Sequence, residues 1–295
     1  MAVERRAENG GLGPGASEES WRRLALAREL VAGCPAALGL EAALTGSAAL
    51  GVADARSDLE LNLWTERMPS DEPRLAWLRG IGATGVALGV ETGPDGTSWS
   101  TWRYRGVWVE AAWQTLDRQD REVAALGSGT VVEHERLIVA GAMVQAVPLR
   151  TTGRLAEWRR ALSVYPEGLS ERIVRAAVER WQWPHWVALR WAYLERGERL
   201  AHVGCMVADL RAALRVLFAV NRQWETGWKW LRPACRALSI APERLLERID
   251  ATLRETDDEK AIRGYLGLVL DCLALAPDLP EVARARELLR ESLGD

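Results

Sequence analysis

The chain has 295 residues, 48% of them hydrophobic and 27% charged, and a formal net charge of −3. That balance excludes disordered and fibrous classes and leaves room for about two domains. Its 36 arginines stand against two lysines and 41 acidic residues, so no global basic field exists and nucleic acid is disfavoured as the main partner.

The opening residues, "MAVERRAENGGLGPGASEES", lack an apolar core, and no run of about 18 apolar residues follows, so a cytoplasmic protein without membrane contact is expected. Residues 1–16 read as a loose, flexible tail. Ser17 is placed to cap a helix: Glu18 and Glu19 fill its first turn, and Trp21, Leu24, Ala25 and Leu30 recur at helical spacing up to about Gly33. From 41 to 64 the period changes. A short apolar run reaches Gly46, the small-residue segment "SAALGVA" follows, and "DLELNLW" alternates polar and apolar residues, predicting strand, turn with a short helix, strand.

Residues 72–80 predict a helix, "GVALGVE" a strand and "TGPDG" a tight turn. The aromatic and β-branched runs "SWSTWRYR" and "GVWVEAAWQTL" predict two more strands, so residues 17–150 read as a mixed α/β domain. After "PLRTTG" the pattern is helical, with Pro166, Pro184, Pro233, Pro242 and Pro280 marking starts or breaks, and 151–295 reads as an all-helical bundle. Its longest candidate helix, from Arg199 to Trp224, carries Leu200, Val203, Val207, Leu210, Leu214 and Leu217 on one apolar stripe. The fold class expected is therefore α+β, a mixed sheet followed by helices.

Cys34, Cys205, Cys235 and Cys272 show no CxxC spacing and read as reduced, mostly buried thiols, and His134, His185 and His202 are similarly isolated. The chemistry concentrates elsewhere. In "DLELNLW" the period of two puts Asp58, Glu60, Asn62 and Trp64 on one face. Two carboxylates side by side oppose each other's ionisation unless cations neutralise them, and hard divalent ions are the usual solution; a solvated strand face is the alternative. Upstream, Gly46 and Ser47 join a strand to a short helix, where backbone N–H groups and a hydroxyl suit an anion such as phosphate. Glu110 is a third carboxylate in an apolar strand, and needs a partner: a metal shared with Asp58 and Glu60, or an arginine.

The segment "TGSAALGVADARSDLELNLW", with Glu110 as a later acidic residue, resembles the signature of the DNA polymerase beta-like nucleotidyltransferase superfamily over about residues 35–115. "LFAVNRQWETGWKWLRP" is similar to a segment in the helical domain of the antibiotic nucleotidyltransferases, such as the aminoglycoside adenylyltransferases. The resemblance implies an N-terminal nucleotidyltransferase domain that moves a nucleoside monophosphate, AMP from ATP, to a hydroxyl of a small acceptor such as an aminoglycoside-like antibiotic or a biosynthetic intermediate, releasing pyrophosphate. Asp58, Glu60 and Glu110 would hold two Mg²⁺ ions, with Glu110 also taking the acceptor proton. Gly46, Ser47 and Ser57 would cradle the β and γ phosphates, and Lys229, assisted by Arg222, would contact the triphosphate. Lys229 is otherwise a snorkelling surface lysine. Glu60 stands where many relatives carry Asp.

The acceptor is expected between the domains, where Trp102, Trp108, Trp181, Trp183 and Trp186 could line a cleft, unless these are core residues. A monomer or homodimer is expected. Two rivals stay open: a nucleotidyltransferase-type toxin or regulator that modifies RNA or protein, and a non-catalytic nucleotide-binding protein of the same fold.

Overall fold

The computed structural model describes residues 11–91 and 96–294. The first ten residues of the expected tail and residues 92–95 of the expected turn lie outside them. The chain is an α+β protein of two compact units, 1–127 with 139–164 and 128–138 with 165–295.

The first unit begins with α1 (Glu18–Ala32), capped by the Ser17 hydroxyl accepting from the Ser20 N–H and closed by Gly33. A sheet follows, built of β1 (Glu41–Thr45), β2 (Leu59–Thr65), β3 (Thr84–Glu91), β4 (Ser98–Tyr104), β5 (Val107–Thr115) and β6 (Val147–Arg150). Their order across the sheet is β3-β4-β5-β2-β1-β6. Only β2 and β5 pair in parallel, and the other neighbours are antiparallel. The connecting helices are α2 (Gly46–Leu50), α3 (Asp71–Gly80), α4 (Leu116–Gly127), α5 (His134–Gln145) and α6 (Arg154–Ser163). The break between units falls inside α5, after Ile138.

One sheet face is apolar because alternate residues point the same way. Leu59, Leu61 and Leu63 of β2 and Val109, Ala111 and Trp113 of β5 join Leu24, Ala27, Leu30 and Val31 of α1 and Trp77 and Leu78 of α3 in one buried cluster. Trp77, Trp102 and Trp113 meet there with ring centroids 5.8 to 6.4 Å apart. Trp102, expected as a cleft candidate, is thus core at 0% exposure. Leu12, within the stretch expected to be a loose tail, is also fully buried in this cluster. Of the expected α1 stripe, Leu24 and Leu30 are buried, but Trp21 and Ala25 face solvent; Ser20 and Arg23 are buried instead.

At one end the opposite face packs on α4 and α6. The Trp64 indole N–H donates to Gln119 of α4 at 3.0 Å, and its ring lies 5.2 Å from that of Trp158 on α6. Glu41, on the same face of β1, is fully buried, and its carboxylate accepts from the Thr152 N–H and hydroxyl, both at 2.5 Å, and from the Leu155 N–H at 3.3 Å. A carboxylate at the start of α6 satisfies orphan backbone donors and suits the helix dipole. Glu60 and Glu110 lie further along this face and are partly exposed.

The second unit is helical: α7 (Leu169–Val178), α8 (Pro184–Glu195), α9 (Arg199–Val220), α10 (Leu231–Arg236), α11 (Leu245–Arg254), α12 (Asp258–Ala274) and α13 (Pro280–Leu293). Pro184 and Pro280 open their helices, where the missing N–H costs nothing. The core forms where α9 packs on α7 and α12. The α9 stripe divides: Leu210, Leu214 and Leu217 are buried, whereas Leu200 is 89% exposed and Val203 and Val207 are partly so. The helix stops at Val220, short of the expected Trp224, because Asn221 caps it and Arg222 turns to φ 52°. Among the described residues, no helix is long and apolar enough to cross a membrane.

All four cysteines are free thiols. Burial pushes Cys34 up to about 11 against a weaker opposing pull from Arg150, and pushes Cys235 up to about 11 and Cys272 to about 12. Their folded values exceed the ordinary one near 9.0, so their contribution to stability is complete below pH 9 and lost as pH rises through about 9 to 12. The expected result is a thermal midpoint that falls over that window, and native protein at pH 8 that reacts with a thiol reagent mainly at the half-exposed Cys205.

Candidate functional site

The site is built on β1, β2 and β5 of the first unit. In the parallel pair of β2 and β5, Glu60 lies directly across from Glu110, which puts their backbones about 4.8 Å apart and their side chains on the same face. Asp58 immediately precedes β2, two residues before Glu60, and all three carboxylate residues are partly exposed. On the other flank, Glu60 pairs with Thr45, whose hydroxyl accepts from the Asn62 amide at 2.8 Å. Thus the alternation read in "DLELNLW" and "GVWVEAAW" brings the two strands' carboxylates to one patch.

Gly46 is part of that patch. It follows β1 directly with φ +65°, and a Cβ built on it would stand 2.3 Å from the Glu60 carboxyl carbon and Oε1. Only glycine lets the turn approach the carboxylate this closely. Gly46→Ala is expected to cost about 1–3 kcal/mol in backbone strain and contact relief. The thermal midpoint should drop by several degrees and Glu60 should be displaced, readable as a carboxylate shift in the variant's crystal structure.

Ser47 is buried, and its carbonyl accepts from the Val52 N–H at 3.0 Å. The Ser57 hydroxyl donates to Asp54 Oδ1 at 3.1 Å and accepts from the Asp54 N–H at 3.0 Å. It therefore locks the turn that leads into Asp58. The Arg56 N–H at 2.9 Å and the Ser57 hydroxyl hold the Asp54 carboxyl below its ordinary range.

The same sheet face continues onto β4. Thr101 pairs with Glu110, Arg103 with Trp108, and Trp99 with Ala112. Trp99 and Trp108 are 44% and 46% exposed, and the Arg103 guanidinium sits 4.5 Å from the Trp108 ring centre. Trp108, a candidate from sequence, is an exposed aromatic two residues before Glu110; Trp99, opposite Ala112, flanks Glu110 from the other side on the neighbouring strand and is not among the expected residues. Its period-2 spacing from Thr101 was the available signal.

A divalent cation fits this patch in donor chemistry, since three carboxylates supply hard oxygen ligands from two adjacent strands. As the side chains stand, no group of three or more His, Cys, Asp or Glu is placed to hold a metal among the described residues.

Lys229 and Arg222 belong to the second unit. Lys229 is exposed in the single turn Trp228–Trp230. Arg222 is exposed, donates to the Tyr165 carbonyl at 3.3 Å and lies 6.0 Å from its ring centre. Trp181 is fully buried, correcting its place among the cleft candidates, while Trp183 and Trp186 are about half exposed.

The same unit holds a cluster that sequence spacing did not reveal. Glu225, 2% exposed, is paired with the His134 ring and accepts from Arg215 Nε at 2.8 and 3.1 Å. These residues line a small pocket with Arg211, Leu214, Phe218, Thr226, Trp228 and Leu231. His134, read as isolated, is 91 positions from its carboxylate partner; no local pattern links them.

Three comparisons bear on this α+β chain. A family model described as "Domain of unknown function (DUF4037)" matches residues 132–231, which is less than half of the chain. Among curated proteins nothing matches. Among solved structures, the chain is similar to a nucleotidyltransferase-like protein from Exiguobacterium sibiricum 255-15, with 11% identity, a TM-score of 0.40, and coverage of 92% of this chain and 79% of that one.

Proposed function

We propose that the chain is a Mg²⁺-dependent nucleotidyltransferase that moves AMP from ATP to a hydroxyl of a small, cationic acceptor and releases pyrophosphate. One observation carries this reading: Glu60 and Glu110 are partly exposed register partners on one sheet face, with Asp58 two residues upstream and the Gly46 turn against Glu60. In this reading Asp58 and Glu60 hold the cations, which when bound would neutralise phosphate charge and acidify the acceptor hydroxyl. Glu110 accepts the hydroxyl proton as the acceptor oxygen bonds to the α-phosphorus and the bond to pyrophosphate breaks. The Gly46–Ser47 turn offers backbone N–H groups to phosphate. Trp99 and Trp108 offer aromatic faces beside Glu110 to a cationic, sugar-like acceptor.

A second reading, a nucleotide-binding protein that no longer catalyses transfer, is favoured by the lack of an assembled three-ligand group among the described residues. Pyrophosphate release, measured with each of the four NTPs and a panel of amino sugars with and without Mg²⁺, separates the two. Release that needs both Mg²⁺ and an acceptor supports transfer. Nucleotide binding with no release from any combination supports the second reading and overturns the first.

A further inference from the structure

The segment that delivers Asp58 to the site is tied to α1 by a polar stripe. Ser17, Ser20 and Arg23 recur every three residues and so share one side of the helix. The Ser17 N–H donates to the Gly51 carbonyl at 2.9 Å and its hydroxyl to the Ala53 carbonyl at 2.6 Å. The Ser20 hydroxyl accepts from the Ala53 N–H at 3.0 Å. Because the Ser17 proton is committed to Ala53, the 2.9 Å contact between the two hydroxyls must be donated by Ser20. One turn further, Arg23 grips the Ser57 carbonyl with two donors, Nε at 3.1 Å and a terminal nitrogen at 2.9 Å.

Arg23 is 4% exposed, and its remaining terminal nitrogen is held by Glu19 at 2.7 Å. A buried guanidinium fixed on both sides is a rigid fork, and Lys cannot reproduce two parallel donors. The carbonyl it holds belongs to the peptide bond that joins Ser57 to Asp58.

We propose that Arg23, supported by Ser17 and Ser20, is a positioning residue: it fixes the backbone of the 53–58 segment, and so the point from which the Asp58 side chain reaches, before any cation arrives. The inference rests on the nucleotidyltransferase reading. It assigns Arg23 no contact with nucleotide or acceptor. The fork sets the ligand's backbone, and a backbone fixed beforehand avoids part of the ordering cost at binding.

The test uses the full chain and Mn²⁺ alone, followed by loss of the free-ion electron paramagnetic resonance signal, with amide exchange across 53–58 as a second readout. Arg23→Met is expected to raise the Mn²⁺ midpoint at least fivefold and to speed exchange in the segment, and Arg23→Lys should recover part of both. Val31→Ala, a buried truncation on the same helix, should lower the thermal midpoint while leaving the Mn²⁺ midpoint unchanged. If Arg23→Met does not fold, Ser20→Ala serves in its place, with a shift in the same direction. A Mn²⁺ midpoint within twofold of the parent in Arg23→Met, or an equal rise in Val31→Ala, overturns the clamp while Asp58→Asn still abolishes binding. If the parent binds no Mn²⁺, or Asp58→Asn binds it as the parent does, the nucleotidyltransferase reading falls and the clamp falls with it.

Discussion

Asp58→Asn is expected to slow Mg²⁺-dependent pyrophosphate release by about a thousandfold, equivalent to ~4 kcal/mol of barrier. The substitution keeps the size of the side chain and removes its charge, so an effect of this size reports electrostatics and not packing. Asp58 is partly exposed and stands outside the strand ladder, so the thermal midpoint should move by no more than about 2 °C. Release at the parent rate would remove Asp58 from the machinery and, with it, the enzyme reading. A rate loss that tracks a large drop in thermal midpoint would instead assign Asp58 to the fold. Stopped pyrophosphate assays run beside thermal denaturation on the same preparation separate these outcomes.

What the sequence made legible was what depends on short periods. The alternation of "DLELNLW" and "GVWVEAAW" predicts two strands and the face each carboxylate occupies, and β2 and β5 place Glu60 opposite Glu110 on that face. That the two strands are neighbours, and parallel, is a topological fact about residues 50 positions apart, which no local pattern encodes. The strand β6 went unread because "VPLR" is short and contains Pro148. It forms because it lies at the sheet edge, where a residue without an N–H is tolerated.

The α1 face shows a different failure of pattern reading. Counting apolar residues alone selected Trp21 and Ala25, whereas the helix buries Ser20 and Arg23, whose partners are backbone groups at 53 and 57. A buried polar side chain is legible only once its partner is known, and backbone partners leave no trace in residue identity. The same holds for Glu41, hidden in a run of small apolar residues, and for the pairing of Glu225 with His134 and Arg215. The candidate carboxylates were legible because strand alternation alone sets the face each occupies.

Asp209 carries the largest expected effect on stability. It is the fully buried acid of the α9 stripe, and three side chains converge on it: Arg190 at 2.6 and 2.7 Å, Arg180 at 2.5 Å and the Trp181 indole N–H at 3.0 Å. Arg180 can turn to solvent, since its side chain is 30% exposed, but Arg190 at 3% cannot. Asp209→Asn therefore leaves one buried guanidinium without its counter-charge and should destabilise the helical unit by about 3–5 kcal/mol. For a unit of this size that is a fall of roughly 10 °C or more in the thermal midpoint. Asp209→Leu combined with Arg190→Met removes both charges, and it should recover much of the loss, because a buried ion pair contributes little net stability over apolar packing of similar volume. If the double variant is as unstable as Asp209→Asn, the loss comes from packing around α9 and not from the stranded charge. Equilibrium denaturation of the parent, Asp209→Leu, Arg190→Met and the double variant, compared as a double-mutant cycle with Asp209→Asn measured beside them, decides between the two.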